Sequence, residues 1–179
     1  MRMIKALAWA GAVMAAPAHS AVTSSGEKGF VVENSVEIAA APGAVYEMLG
    51  RPALWWSGEH SYGGSAAKLT LDPVAGGCFC ESLPAGGGVE HGRVLYAAPG
   101  KKLRISGALG PLQSEAVTGI LTFDIEPTAN GARVALSYVV GGYMRMDAAK
   151  LAPGVDKVLA EQLQGLRRAA EDGGNRRKR

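Results

Sequence analysis

The stretch "VTGILTFDIEPTANGARVALSYVVGGYMRMDAAKLAPGVDKVLAEQLQGLRRAA", Val117–Ala170, changes its period halfway along, and that change decides the fold. In the first half Val117, Gly119, Leu121, Phe123 and Ile125 alternate with Thr118, Thr122, Asp124 and Glu126. Successive strand side chains point to opposite faces, so the pattern predicts a strand with one buried face. "PTANGA" carries Asn130-Gly131, a pair suited to a hairpin turn. "RVALSYVVGGY" then returns with Val134, Leu136, Tyr138 and Val140 on one side. From Asp147 the period becomes helical: Leu151, Val155, Val158, Leu159, Leu163 and Leu166 form one stripe, and Asp156, Lys157, Glu161, Arg167 and Arg168 fill the other face. Pro153-Gly154 is expected to interrupt this helix near its start.

Upstream, strand patterns continue back to Lys68. "KLTLDP" leads to "GGCFCESL", "PAGGG" reverses the chain, and "VEHGRVLYAA" and "LRISGAL" follow, separated by the turn "PGKK". Before them, "FVVENSVEI" (Phe30–Ile38) alternates as a first strand, and "APGAVYEMLG" opens on Pro42 and closes on Gly50 as a short helix would. "RPALWWSGEHSYGG" reads as a second short helical turn and a loop. The expectation is one α+β domain over residues 30–172. A strongly curved antiparallel sheet of six to seven strands wraps around a long C-terminal helix, with two short helices after the first strand. One helix is the only element able to cover the apolar face of such a sheet, and it cannot close it fully, so a cavity is expected between them.

The ends carry most of the positive charge. "MRMIKALAWAGAVMAAPAHS" (1–20) has a basic start at Arg2 and Lys5, an uncharged apolar run and a small-residue site at Ala18-His19-Ser20, the three parts of a secretory signal. Residues 21–29 read as a flexible lead-in and 173–179, ending in Arg176-Arg177-Lys178-Arg179, as a disordered basic tail. The whole chain has 19 basic and 16 acidic side chains; without Arg2 and Lys5 the balance is 17 to 16, and without the terminal run 13 to 16. The folded body therefore has no basic footprint for nucleic acid. The apolar run is too short to span a bilayer, which takes roughly 20 residues. Export to the periplasm or medium is expected, with no stable membrane insertion, no protein partner and no cofactor.

The order of elements and several strings resemble the SRPBCC superfamily, also called START-like or helix-grip proteins. The strings are "VEIAAAPGAVYEML", "RPALWWSG", "LDPVAGGCF" and "HGRVLYAAPGKKLRISG", followed by the terminal amphipathic helix; together they span Val31 to about Glu171. Members include polyketide cyclase/dehydrase-like, lipid-transport-like, pollen-allergen and activator-of-heat-shock-ATPase homologues. The resemblance implies a cavity for a small hydrophobic or amphipathic molecule, with chemistry in only some members. An exported chain would not meet a cytosolic heat-shock ATPase.

Ligand-contacting residues are expected from the loop (Trp55, Trp56, His60, Tyr62), the hairpin (Cys78, Cys80, His91) and the later strands (Phe123, Tyr138, Tyr143). One alternative for the loop is that a single tryptophan plugs the core. Cys78 and Cys80 share a face, and His91 lies across the hairpin, so a soft-metal site at Cys78, Cys80 and His91 is one alternative. It lacks CxxC spacing and a second Cys/His cluster. A labile, redox-active disulfide is another, if a bulge favoured by Gly76-Gly77 draws the two together, because residues two apart in a strand lie near or beyond the upper limit of roughly 6.8 Å between Cα atoms. The preferred reading is two free thiols in the concave wall. An enzyme would use His60 or His91 as acid/base with Glu59, Glu81 or Glu90. The sequence contains no Gly-x-Ser-x-Gly, phosphate loop, dinucleotide fingerprint or His-Glu-x-x-His.

Overall fold

Eight antiparallel strands form one curved open sheet in the order β1-β2-β8-β7-β6-β5-β4-β3 in the computed structural model, which describes residues 19–176. The strands are β1 (His19–Gly26), β2 (Gly29–Ile38), β3 (Leu69–Leu71), β4 (Cys78–Ser82), β5 (Gly88–Ala98), β6 (Lys102–Ser106), β7 (Ala116–Thr128) and β8 (Gly131–Tyr143). Two α-helices accompany them, α1 (Pro42–Leu49) and α2 (Ala148–Arg176), with 3-10 turns at Pro52–Leu54 and Gly58–His60 between α1 and β3. This is the α+β helix-grip arrangement expected from the change of period at Tyr143. The meander from β3 to β8 needs only short antiparallel connections; β2 reaches the far side of the sheet by pairing with β8.

Two expectations about the ends differ from what forms. Residues 19–26, the last two of the expected signal and most of the expected lead-in, make β1 and pair with β2 from Gly26↔Gly29 to His19↔Ser35. Their polar composition hid a strand at a sheet edge, where one face need not be apolar. At the other end α2 continues to Arg176, past the expected end of the domain at 172. The expected secretory signal, residues 1–20, lies outside the described residues except for His19 and Ser20, as do the last three residues of the basic tail. Among the described residues no helix is long and apolar enough to cross a membrane.

The alternation read from the sequence holds in the core. Phe30, Val32, Asn34, Val36 and Ile38 of β2 are buried, as are Leu121, Phe123 and Ile125 of β7 and Val134, Leu136, Tyr138 and Val140 of β8. Asn34 is the one polar member of that face, and its Nδ2 donates to Asp156 Oδ1 on α2 at 3.0 Å. Helix α2 runs through Pro153 without the expected break. Its N-terminus is closed by Asp147, whose Oδ1 accepts from Ala149 N at 3.0 Å and Lys150 N at 3.3 Å. Leu151 N already donates to Asp147 O at 3.0 Å, so Pro153, two residues further on, omits a single bond of the ladder near the helix start.

The stripe of α2 divides in two. Leu159, Leu163, Leu166 and Ala170 are buried, while Leu151, Val155 and Val158 are only half-covered. The buried half lies on β2 and α1 and against the loop after α1. Gly165 makes that approach possible: a Cβ placed on it would stand 2.1 Å from the carbonyl oxygen of Trp55. Gly→Ala in a helix ordinarily stabilises by about 1 kcal/mol. Gly165→Ala is expected to do the opposite, costing about 1–3 kcal/mol as the loop is pushed off the helix; urea unfolding of the purified variant reads the sign.

Candidate functional site

The half-covered turns of α2 form one wall of a cavity of about 580 Å³. A second wall is the loop bearing Trp56, Glu59, His60, Ser61 and Tyr62, and a third is Leu109-Gly110-Pro111 between β6 and β7. The size lies inside the range of roughly 300–1,000 Å³ usual for small-molecule sites, and the lining is mainly apolar. Two other depressions, of about 380 and 500 Å³, are different in character. The smaller involves Glu33, Ser35, Asp124 and Arg133, and the larger follows the β1–β2 turn around Glu27 and Lys28. Both have a larger polar share in their lining, which suits water better than an organic ligand.

Each wall is pinned by one buried polar side chain. Gln162 of α2, 1% exposed, accepts from Ser57 N through Oε1 at 2.7 Å and donates to Val158 O at 3.2 Å. Glu81 of β4, 2% exposed, accepts from Tyr62 N at 3.0 Å and Gly63 N at 2.6 Å. Tyr138 of β8 donates its hydroxyl to Gly107 O at 2.9 Å and accepts from Leu109 N at 3.0 Å. Burial pushes the Tyr138 phenol up to about 12, so it stays protonated and keeps that pair of bonds. A buried acceptor without a donor costs free energy, so these three contacts fix the loops in place rather than merely touching them.

Two histidine–carboxylate pairs flank the cavity. His60, in its wall, has Nε2 3.2 Å from Glu161 Oε2 on α2. Hydrogen bonding from His60 and then from Ser57 holds the Glu161 carboxyl below the usual range. His91 sits behind Tyr62, with Nε2 3.1 Å from Glu81 Oε2 and both side chains almost fully buried. Its ring lies 4.9 Å from that of Phe79 and 5.9 Å from that of Tyr62. Burial lowers the His91 pKa against the opposing pull of Glu81. For Glu81, burial raises the pKa, but the N–H groups of Gly63 and Tyr62 and the bond from His91 outweigh it and leave it lowered. At neutral pH the pair is a carboxylate accepting from a neutral imidazole.

The expected ligand-contacting residues separate into groups. Trp56, His60 and Tyr62 line the cavity. Trp55 plugs the core, edge-on to Phe123 at 6.4 Å and to Trp56 at 5.4 Å; Phe123 and Tyr138 are core residues as well. Tyr143 is 72% exposed at the end of β8. His91 supports Tyr62 from behind. Leu109, Pro111, Leu151, Val155 and Val158 were not among the expected contacts, although the three helical residues were read as the apolar stripe. Pairing of that stripe with Gly154, a residue too small to fill its place, is the signal that marks the gap.

Cys78 and Cys80 correct two expectations. They are joined in a disulfide, with Cα atoms 5.5 Å apart, and are not free. They also face away from the core, because Phe79 and Glu81 take the inward positions of β4. A strand offers its two faces in strict alternation, and the larger apolar Phe79 wins the inner one. Phe79 pairs with Gly92 and Cys80 with Glu90, which leaves His91 as the extra residue of a bulge. Gly92 permits it, since a Cβ there would meet Ser106 O at 2.6 Å. Cys78, Cys80 and His91 are therefore not brought together, and among the described residues no three Cys, His, Asp or Glu side chains converge as a metal site would need.

Solved structures share this fold. Protein MLL2253 from Mesorhizobium loti superposes with a TM-score of 0.58 at 21% identity, over 79% of this chain and 97% of that one. The di-domain ARO/CYC StfQ from the steffimycin biosynthetic pathway gives 0.55 at 16% identity, over 81% of this chain and 51% of StfQ. CalU16 from Micromonospora echinospora gives 0.54 at 13%, over 84% and 81%. No protein-family model and no curated protein matches the sequence. At these identities the likeness establishes the fold alone.

Both lowered pKa values act in one direction on stability. Below the ordinary histidine value of 6.5 the unfolded chain takes up a proton that buried His91 resists, and below 4.5 it takes up one that Glu81 resists. Stability is expected to fall on acidification, first below about pH 6.5 and again below about 4.5. His91→Asn is expected to remove the first fall and leave the second, read from melting temperatures between about pH 7 and 4.

Proposed function

We propose that the chain is an exported protein that binds a small apolar or amphipathic molecule in the cavity between α2 and the loops over the sheet. The carrying observation is the cavity: about 580 Å³, lined by Trp56, Leu109, Pro111, Leu151, Val155 and Val158, with His60 and Tyr62 as polar groups among them. Such a composition admits a hydrophobic body and one or two polar anchors. The aromatic faces of Trp56 and Tyr62 favour a ring system or an acyl chain with a polar end. Likeness of fold to the ARO/CYC protein StfQ supports a cavity-binding role. Export rests on the signal-like segment 1–20.

A second reading, a cyclase, dehydratase or hydrolase acting in the same cavity, draws on the His60–Glu161 pair in its wall. With Nε2–H donated to Glu161, the imidazole keeps its lone pair on Nδ1 and can act as a general base toward an acidic proton of a bound substrate. Binding without turnover needs no such base. His60→Ala separates the two: it leaves affinity within a few-fold on the first reading and abolishes turnover on the second.

Native mass spectrometry of gently purified protein is expected to show a bound organic species. Fatty acids or polycyclic aromatics are expected to raise the melting temperature. Val155→Trp is expected to obstruct the cavity between α2 and the loops and abolish both effects while the far-ultraviolet spectrum is unchanged. A chain that carries no organic mass and is shifted by no member of either class does not have this function.

A further inference from the structure

The disulfide between Cys78 and Cys80 ties no element to another. The stabilisation a cross-link gives through the unfolded chain grows with the loop it closes, and these residues are two apart in one strand. That strand is already held on both sides, by β3 from Leu69↔Glu81 to Leu71↔Phe79 and by β5 from Cys78↔Arg93 to Ser82↔Gly88. The fold therefore has little use for the bond. Its position, by contrast, is open: both sulfur-bearing residues are half-exposed on the outward face, between the inward Phe79 and Glu81.

The flanking charges distinguish the two cysteines. Arg93 stands opposite Cys78 in the ladder and Glu90 opposite Cys80, both exposed on the same outward face. Arg93 is oriented by Glu90 Oε2 at 2.5 Å and by Gly76 O at 3.3 Å. A cation opposite a cysteine favours its thiolate, and a carboxylate disfavours it. Cys78 is thus the better leaving group and Cys80 the sulfur open to attack.

We propose that Cys78–Cys80 is a thiol–disulfide exchange site on the outer face of the sheet, taking an exposed dithiol of another protein as its partner. One partner thiolate attacks Sγ of Cys80, forming a mixed disulfide and releasing Cys78, which Arg93 opposes in the ladder, as a thiolate. The partner's second thiolate then attacks its own sulfur in the mixed disulfide, expelling Cys80 as a thiolate. The partner is oxidised by two electrons to a disulfide, the Cys78–Cys80 pair is reduced by the same two, and the partner's two protons pass to the new thiols through water. The site lies on the opposite face of β4 from Glu81, so it does not rest on the ligand-binding reading.

The test uses the full oxidised chain. It is equilibrated in glutathione buffers of stepped ratio, trapped with N-ethylmaleimide and read by mass, with near-ultraviolet circular dichroism in parallel. Reversible two-electron reduction with the tertiary signal unchanged is expected. On mixing with reduced, unfolded ribonuclease A, one disulfide is expected to pass to ribonuclease per chain, several-fold more slowly for Arg93→Ala and not at all for Cys78→Ser or Cys80→Ser. A pair that resists reduction until the chain unfolds, or whose reduction itself unfolds the chain, is structural and overturns the proposal. So does a reducible pair that oxidises ribonuclease no faster than glutathione disulfide does. The wild-type measurements decide even where a serine variant fails to fold.

Discussion

A single helix has to cover the inner face of an eight-stranded sheet, and the geometry does not allow it. Eight strands at about 4.8 Å spacing span about 34 Å before bending, while a helix with its side chains is about 10–12 Å wide. Curvature narrows the difference, and α1 and the loop carrying Trp55 and Trp56 fill more of it. What remains is the space under Leu151, Val155 and Val158, where α2 has an apolar stripe and no sheet residue to bury it against. The cavity is thus a consequence of matching one helix to this sheet. Its walls persist because Gln162, Glu81 and Tyr138 each commit a buried polar group to a loop backbone.

The sheet keeps its two faces chemically separate. Inside, Glu81 and His91 support Tyr62 and hence the cavity wall, at the cost of a buried ion that acid removes. Outside, the disulfide and the Arg93–Glu90 pair face solvent. The bulge at His91 links the two arrangements. Without the extra residue in β5, the histidine would fall out of phase with Glu81, and the residue opposite Cys80 would change.

The fold was legible because it depends on periodicity, and the periods of Val117–Tyr143 and Asp147–Ala170 are long and clean. The edge strand β1 was not, since its partners lie on one side only and its composition is that of a loop. In the hairpin the period of two correctly placed both cysteines on one face. Which face that is depends on whether Phe79 or the cysteines pack against the core, a tertiary choice that pattern alone leaves open. The bulge had a local sign in His91-Gly92, a glycine within a strand pattern. At the candidate site the aromatic loop was legible and the split of Trp55 from Trp56 was not, because neighbours at a 3-10 turn diverge by about 120°. The contribution of Gly107–Pro111 had no sequence signal, as it follows from where Tyr138 carries its hydroxyl.

On the proposed function, apolar ligands enter beneath the first turns of α2. Amide chemical-shift mapping during titration with a fatty acid or polycyclic aromatic tests it most directly. Shifts should concentrate in residues 56–62, 109–111 and 151–159, and should be lost in Val155→Trp. Shifts confined to the outer face around 21–35 and 133–137, or none at saturating ligand, would contradict it.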